Sequence, residues 1–295
     1  MKTKITLFQS LLWIFTSAVI LNGMTFFGIK GYHYWKRVRS LDYKVPIKAI
    51  VQTGPQKEAL KTAYFAELLN LSADQPILSS EFDLKEAQAK LLASPVIKEV
   101  EVKIKEPGIL YIEYTTRQPI CFLRDFENVA LDQDGYPFPV TPFFTPKNLP
   151  EIYLGLEEEI EWNKPLTGQK IELAYELLKV LSGPIVSDLF NIKRVDVSNA
   201  FEKSLGRQEI DLITQDEVFT SHQDQEVRFV FPRILRLSTK KYSQELSNYL
   251  KLREDLLEKE KLELKFQKEG ETTITYPLKM IDFRVSQLAF IEEGT

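Results

Sequence analysis

Two alternating stretches between Ser94 and Pro119 constrain the fold more than any other feature of the sequence. Every second residue is apolar in each stretch: Val100, Val102 and Ile104 in the first, and Leu110, Ile112 and Tyr114 in the second. Because successive side chains of a strand point to opposite faces, this alternation predicts two half-buried strands. Pro107 and Gly108 lie between them and predict a turn. We therefore expect a β-hairpin that covers a core with one face.

The residues before this hairpin predict one strand and two helices. Alternating residues around Ala49 predict the strand. Gln56–Leu71 carries an apolar stripe at helical spacing. A second helix is expected to begin near Asp83, which can cap it, and Glu86 stands three residues later as in a capping box. The order strand, helix, helix, strand, strand over residues 45–116 predicts a compact α+β module with an exposed sheet edge.

An uncharged stretch near the N-terminus, residues 5–29, predicts a transmembrane helix. As a helix, about 25 residues span about 37 Å, enough to cross a hydrocarbon layer of about 30 Å. A short tail, residues 1–4, precedes it, and a basic and aromatic juxtamembrane connector, residues 30–44, follows. The flanking lysine and arginine residues, taken alone, lean weakly towards a cytoplasmic C-terminal part.

The chain after Pro119 predicts a β-rich region with two amphipathic helices. The helices are expected at Gln169–Leu181 and near Thr239–Glu260, and an Asp134-Gly135 pair predicts a hairpin turn. A calcium loop is the weaker alternative for that turn, since the third acidic ligand and the closing glutamate are missing. The proline-rich segment Pro137–Pro150 predicts an irregular, exposed traverse. Three final strands are predicted in "KLELKF", "TTITYPL" and "MIDFRVSQLAFIE".

The composition and the motifs argue against several classes of function. The net charge of -4 argues against a general nucleic-acid binder, which needs a basic surface. Cys121 is the single cysteine, so no internal disulfide can form, and its apolar neighbours predict a buried side chain. The two histidines, His33 and His222, form no metal-ligand spacing, and no glycine-rich phosphate loop occurs. We therefore predict no catalytic, cofactor-binding or metal-binding residues, and an enzyme is unsupported.

Four segments, in chain order, are similar to motifs of the FtsQ/DivIB family of bacterial division proteins. They are "LLASPVIKEVEVKIKEPGILYIEYTTRQPICFL", "ALDQDGYPF", "NLPEIYLG" and "MIDFRVSQLAFI". The first resembles the family's helix end, Pro-x-Val/Ile turn, two strands and Arg-x-Pro run. The others resemble its Asp-Gly hairpin, its Leu-Pro…Gly element and its Ile-Asp-Leu-Arg signature. A charged segment between Glu226 and Lys268 matches no motif.

The resemblance implies both a fold and a function. The fold is an α+β protein with an N-terminal transmembrane helix, a POTRA module (β-α-α-β-β) over residues 45–116 and a β-rich FtsQ-type domain with flanking helices over residues 117–292. The function is a non-enzymatic bitopic scaffold of the division complex, without a cofactor. Its partners would be FtsL-like and FtsB/DivIC-like single-span proteins and the septal peptidoglycan synthesis machinery. The expected location is the cell inner membrane, with a cytoplasmic N-terminus and a periplasmic C-terminal domain.

The resemblance also implies a partner-binding strand close to the C-terminus, at which a partner adds a strand of its own. The predicted residues are Phe283, Arg284, Val285, Ser286, Gln287, Leu288, Ala289, Phe290 and Ile291. Because of strand alternation, about half of them could instead face the core. A second docking surface is predicted at Val96, Lys98, Val100 and Val102, with burial in the core as the alternative.

Two other functions remain open at this point. One is a POTRA-type chaperone or docking protein of an envelope transport system, although 295 residues leave no room for the barrel of such a system. The other is a membrane-anchored cell-wall enzyme, which would require a carboxylate or Ser/His cluster in a deep pocket.

Overall fold

The computed structural model describes residues 7–42, 45–106, 108–183, 186, 189, 191–222, 225–262 and 273–293. The chain divides into two compact units. The first comprises Met1–Ala93 and Ile97–Thr115, and the second comprises Ser94–Val96 and Thr116–Thr295. Five helices and a large β-sheet within the described residues make this a mixed α/β protein.

The predicted N-terminal transmembrane helix is not shown. Helix α1, Leu7–Asp42, covers the uncharged stretch and continues through most of the predicted connector. Across the residues that the structure describes, no helix is both long and apolar enough to cross a membrane. The polar side chains of Thr16, Asn22 and Thr25 interrupt the apolar run and donate hydrogen bonds to carbonyl oxygens one turn earlier. The predicted fold class is therefore wrong in this element, and the predicted single-pass location in the inner membrane is wrong as well. The predicted tail lies outside the described residues.

The first unit contains a three-stranded sheet and two short helices after α1. The elements are β1 (Ala49–Thr53), α2 (Thr62–Leu68), α3 (Leu84–Leu92), β2 (Ile97–Glu106) and β3 (Ile109–Thr116). The strand order is β1-β3-β2, with β1 parallel to β3. Phe65 of α2 packs edge-on against Tyr114 of β3 at 4.8 Å between ring centroids, and both side chains are buried. The chain order of these elements is the order expected from the alternation and stripe patterns.

Helix α2 is shorter than the predicted helix Gln56–Leu71. Glu58 adopts a φ of 61°, which is incompatible with a right-handed helix. The backbone N–H of Leu60 donates to the Tyr114 hydroxyl at 2.8 Å, and its carbonyl oxygen accepts from the Gln52 side chain at 2.9 Å. These bonds to two neighbouring strands hold residues 58–61 in a loop, because tertiary hydrogen bonds replace those of a helical turn.

The predicted cap of α3 is confirmed in part. The Asp83 carboxylate accepts hydrogen bonds from the backbone N–H groups of Lys85 at 2.8 Å and Glu86 at 3.2 Å. Glu86 forms an ion pair with Lys90 at 2.8 Å, one turn further along the same helix. Asp83 therefore satisfies two of the free N–H groups at this end, as an N-cap does.

The second unit is built on one large mixed sheet. Its elements are β4 (Cys121–Leu123), β5 (Val129–Leu131), β6 (Pro137–Pro139), β7 (Glu151–Tyr153), α4 (Gln169–Leu181), β8 (Asn191–Asp196), a 3-10 turn (Leu205–Arg207), β9 (Ile210–His222), β10 (Gln225–Leu237), α5 (Tyr242–Leu262), β11 (Thr273–Thr275), β12 (Lys279–Asp282) and β13 (Phe290–Glu293). The strand order is β13-β12-β10-β9-β8-β7-β4-β5-β6, and β11 also pairs with β10. The predicted strand "KLELKF" falls largely outside the described residues.

The main core of this unit lies between the sheet and its helices. Helix α4 has the predicted bounds and buries its apolar stripe, for example Leu177, against the strands. Helix α5 begins three residues later than predicted and contributes Leu246 and Tyr249 to the same cluster. The predicted exposed traverse at Pro137–Pro150 is wrong in part. Phe138 and Phe144 are buried there and pack edge-on against each other.

A buried ion pair connects the Arg-Gln-Pro run to the Asp-Gly hairpin. The Arg117 guanidinium lies 2.7 Å from a carboxylate oxygen of Asp132, and both side chains are buried. Arg117 also donates to the Pro95 carbonyl at 3.1 Å and lies over the Tyr136 ring at 4.0 Å. Asp132 additionally accepts from the backbone N–H groups of Asp134 and Tyr136, which shapes the hairpin turn. Strands β5 and β6 pair antiparallel on the two sides of this turn, as the hairpin interpretation predicts. The described residues contain no group of ligands that could hold a metal ion.

Replacing Arg117 should destabilise the second unit strongly. Arg117→Met leaves the buried Asp132 carboxylate without its cation, which costs about 3 kcal/mol. The free energy of unfolding should be measured by urea denaturation of the full chain. Arg124→Met is the matched control, since Arg124 is exposed and lies 3.9 Å from Glu151, and it should change this free energy by less than about 0.5 kcal/mol. Equal effects of the two substitutions would contradict a structural role for Arg117.

Cys121 should be inert in the folded protein. Its side chain is fully buried, as predicted, and burial raises the pKa of its thiol to about 12, against a smaller opposing effect of a backbone hydrogen bond. The thiolate is the reactive form, so alkylation at pH 8 should be slow until the chain unfolds. Mass spectrometry after iodoacetamide treatment with and without denaturant measures this directly. Rapid labelling of the native chain would show that the β4 region opens.

Candidate interaction site at one edge of the large sheet

Strand β13 forms one end of the large sheet. It pairs antiparallel with β12, with Phe290 opposite Asp282 and Ile291 opposite Ile281. In the described part of the chain, no strand pairs with its outer side. Since an edge strand turns about half of its backbone N–H and C=O groups away from its neighbour, β13 offers these groups to another chain.

The opposite end of the sheet is unsuited to strand addition. Strand β6 occupies that end and reads Pro137-Phe138-Pro139. Proline lacks a backbone N–H, so two of the three residues of β6 cannot donate a ladder hydrogen bond. The two ends therefore differ in chemistry, and β13 is the end that can accept a partner strand.

Large apolar side chains surround β13. Leu288 and Phe290 are each 56% exposed, Val285 is 48% exposed and Ile291 is 46% exposed. Ile291 and Phe290 occupy successive positions and point to opposite faces of the strand. The exposed apolar residues therefore lie along one sheet edge on both faces of β13, where they can contact a chain that pairs with this edge. We call these four residues the edge patch.

The predicted site 283–291 is one strand in the sequence prediction, whereas in the molecule it comprises a connection and the start of a strand. Strand β12 ends at Asp282, residues 283–289 form a connection, and β13 begins at Phe290. Phe283 is buried and packs edge-on against Tyr249 at 6.1 Å, so it belongs to the core. Gln287 has a φ of 64°, which reverses the chain. Ser286, Gln287 and Ala289 are exposed members of this connection.

Arg284 fixes this connection. Its guanidinium lies 2.7 Å from the Asp282 carboxylate and 2.9 Å from the Glu209 carboxylate, and it donates to the Gly206 carbonyl at 3.1 Å. The Asp282 carboxylate also accepts from the backbone N–H of Arg284 at 2.9 Å. Burial acts to raise the pKa of Asp282, but the hydrogen bonds and charge of Arg284 outweigh it, and the pKa lies below its ordinary value. Arg284 therefore acts within the fold, and its side chain is engaged before any partner binds.

A cavity of about 420 Å³ lies next to the edge patch. Its walls come from α5 and from the connection between β12 and β13, and Leu252 and Phe283 supply apolar surface. Glu245 is the single carboxylate among its lining residues, and it accepts hydrogen bonds from the backbone and hydroxyl of Ser238, both at 2.6 Å. The cavity therefore presents neither a pair of carboxylates nor a histidine. The His222 side chain lies outside the described residues.

The second predicted docking surface is largely inside the protein. Val96, in the second unit, is fully buried. Val100 and Val102, in the first unit, are also buried, and Lys98 is half-buried. The alternation that predicted strand β2 also directs these valines towards the core, so they cannot form an exposed docking surface.

No protein-family model matches the chain, and a search of curated proteins found no match.

Removing Arg284 should raise the pKa of Asp282. Because the folded-state pKa is lowered, Asp282 contributes stability above its unfolded pKa of about 3.9 and loses it as the pH falls through the folded value. In Arg284→Gln, the guanidinium no longer opposes the effect of burial on the Asp282 carboxyl, so the pKa of Asp282 should rise. NMR titration measures this pKa. Arg228→Gln, which removes a different arginine–carboxylate pair, should leave Asp282 unchanged. An unchanged Asp282 pKa in the Arg284 variant would contradict this assignment.

Proposed function

We propose that this chain is a non-enzymatic scaffold of a bacterial division complex that binds an extended segment of a partner beside β13. The single observation that carries the proposal is the outer side of β13, where unpaired backbone groups lie among the exposed apolar residues Leu288, Phe290 and Ile291. Main-chain hydrogen bonds would provide affinity, and the edge patch would provide selectivity for apolar side chains of the partner.

The resemblance of the sequence motifs to the FtsQ/DivIB family supplies the proposed partners. These are FtsL-like and FtsB/DivIC-like single-span division proteins, through which the scaffold would be linked to septal peptidoglycan synthesis. The absence of a carboxylate pair from the cavity beside β13 supports binding over catalysis at this position. The proposal includes no cofactor.

A charge introduced at the edge patch should abolish binding. Phe290→Arg places a cation where a partner side chain would pack, and the loss should exceed about 2 kcal/mol, or about thirtyfold in affinity. Binding should be measured between the purified full chain and a co-expressed FtsB/DivIC-like protein. Phe219→Arg is the matched control, because Phe219 is a strand phenylalanine that is 57% exposed and lies outside the edge patch.

Two results would contradict the proposal. The first is unchanged binding by Phe290→Arg, and the second is an equal loss in both arginine variants. Hydrogen exchange provides an independent measurement, since amides of residues 290–293 should exchange more slowly in the complex if a strand is added there.

Deleting the C-terminal residues from Lys279 onwards is a poor test of binding at β13. Removing Lys279–Thr295 would delete the whole predicted binding strand, but this segment also includes β12, whose Ile281 is buried in the main core. Such a truncation would damage the second unit as well as the binding site. Substitutions at Leu288, Phe290 and Ile291 test binding without removing core residues.

A further inference from the structure

Strands β9 and β10 form a long hairpin. On one of its faces, charged side chains interrupt the row of buried apolar residues. Six alternate residues of β10 are buried on one face: Val227, Phe229, Phe231, Arg233, Leu235 and Leu237. Five of them are apolar, and Arg233, in the middle, is fully buried. On β9 two buried polar residues, Thr214 and Asp216, interrupt the alternate positions in the same way between Leu212 and Val218. A face that could be continuously apolar therefore carries a charged layer across its centre.

The charged layer is a connected network. Arg233 lies 3.2 Å from an Asp216 oxygen and 2.6 Å from a Glu260 oxygen of α5. Asp216 also contacts Arg253 at 2.7 Å and accepts from the Tyr249 hydroxyl at 3.2 Å. Lys279, the first residue of β12, lies 3.3 Å from Glu260. We call these six residues the ionic layer.

The ionic layer separates two apolar clusters. The main cluster contains Leu235 and Leu237 of β10, Leu246 of α5 and the stripe of α4. The distal cluster consists of Val227, Phe229, Phe231, Leu257 and Ile274, with Val218 and Tyr276 packed against it. Leu257 and Ile274 attach the last turns of α5 and the short strand β11 to the distal end of the hairpin. The distal cluster is the smaller of the two and depends on these few contacts.

The ionic layer stabilises the folded state less than apolar residues at the same positions would. A buried ion pair adds little net stability compared with apolar residues of similar volume, because desolvation offsets the attraction between the charges. One Arg233 nitrogen, Nη1, is buried without a hydrogen-bond partner among the described residues, which adds a further cost. Apolar contact therefore does not run continuously from one cluster to the other, and the two clusters need not unfold together.

We propose that the distal segment opens as a unit while the main cluster stays folded. We define the distal segment as residues 217–222, 225–231, 257–262 and 273–276. The ionic layer, to which Glu260 of this segment belongs, is its boundary. In the closed state β11 covers the edge of β10 at Arg228, Phe229 and Val230. Opening releases β11 and uncovers these edge positions, so the sheet gains backbone groups that are available only in the open state. This proposal does not rest on the proposed function at β13.

Native-state hydrogen exchange of the full chain tests the proposal without any substitution. Amides of β10 at residues 227–231 should exchange at least about tenfold faster than amides at residues 233–236, with a weaker dependence on denaturant, because a partial opening exposes less surface. Equal rates and equal denaturant dependence along β10 would overturn it, since they would show one cooperative unit.

A pair of matched substitutions sharpens the test. Val227→Ala, in the distal cluster, should accelerate exchange of the distal segment by about tenfold and leave strand β8 unchanged. Val195→Ala, at a buried position of β8 in the main cluster, should accelerate β8 and leave distal exchange unchanged. Acceleration of both regions by both variants would overturn the proposal.

The role of the ionic layer is tested by Glu260→Gln. This change removes the charge that contacts both Arg233 and Lys279, so exchange should accelerate in the distal segment and not in β8. The control is Glu258→Gln, an exposed glutamate on the same helix, which should change neither region. Faster exchange of β8 in Glu260→Gln, or no change anywhere, would exclude the ionic layer as the boundary.

Discussion

The pairing of β9 with β10 is the interaction on which the second unit depends. These two strands are each 13 residues long and pair along their whole length. Strand β8 attaches to β9, whereas β11 and β12 attach to β10, so both sides of the sheet are built outward from this hairpin. The position of β13 follows from it, because among the described strands β13 pairs with β12 and with no other. One strand, β12, therefore separates this exposed edge from the hairpin.

The sequence motifs that carry the family resemblance have structural roles in this molecule. Arg117 and Asp132 form a buried pair that links the Arg-Gln-Pro run to the Asp-Gly hairpin. Asp282 and Arg284, from the "IDFR" segment, form the pair that holds the connection between β12 and β13. Buried or half-buried ion pairs of this kind require both partners, which explains why such residues occur together. The edge patch, which would contact a partner, lies in the segment "MIDFRVSQLAFI" but outside its Ile-Asp-Phe-Arg part.

Sequence patterns correctly predicted elements that are stabilised by contacts within one short segment. They failed where contacts between residues distant in sequence determine the structure. The cap at Asp83 and the stripe of α4 are properties of short segments, and both are present in the structure. Helix α2 lost its first turn because Tyr114, more than 50 residues away, binds the Leu60 amide. The predicted strand 283–291 is interrupted because Arg284 turns back to Asp282, which alternation cannot reveal. Alternation also cannot distinguish a core face from an exposed face, as the buried Val100 demonstrates.

The difference between the two ends of the sheet bears on why β13 remains open. Proteins usually protect an exposed strand edge with proline or charge, because unpaired backbone groups among apolar side chains promote aggregation. Strand β6 carries two prolines and follows this rule. Strand β13 has no proline; it begins with the exposed residues Phe290 and Ile291 and ends with Glu292 and Glu293, so charge protects its second half and not its first. The two ends of the sheet therefore differ, since both terminal residues of β6 are prolines and the first two residues of β13 are exposed and apolar. This difference agrees with the proposed binding of a partner strand at β13 and not at β6.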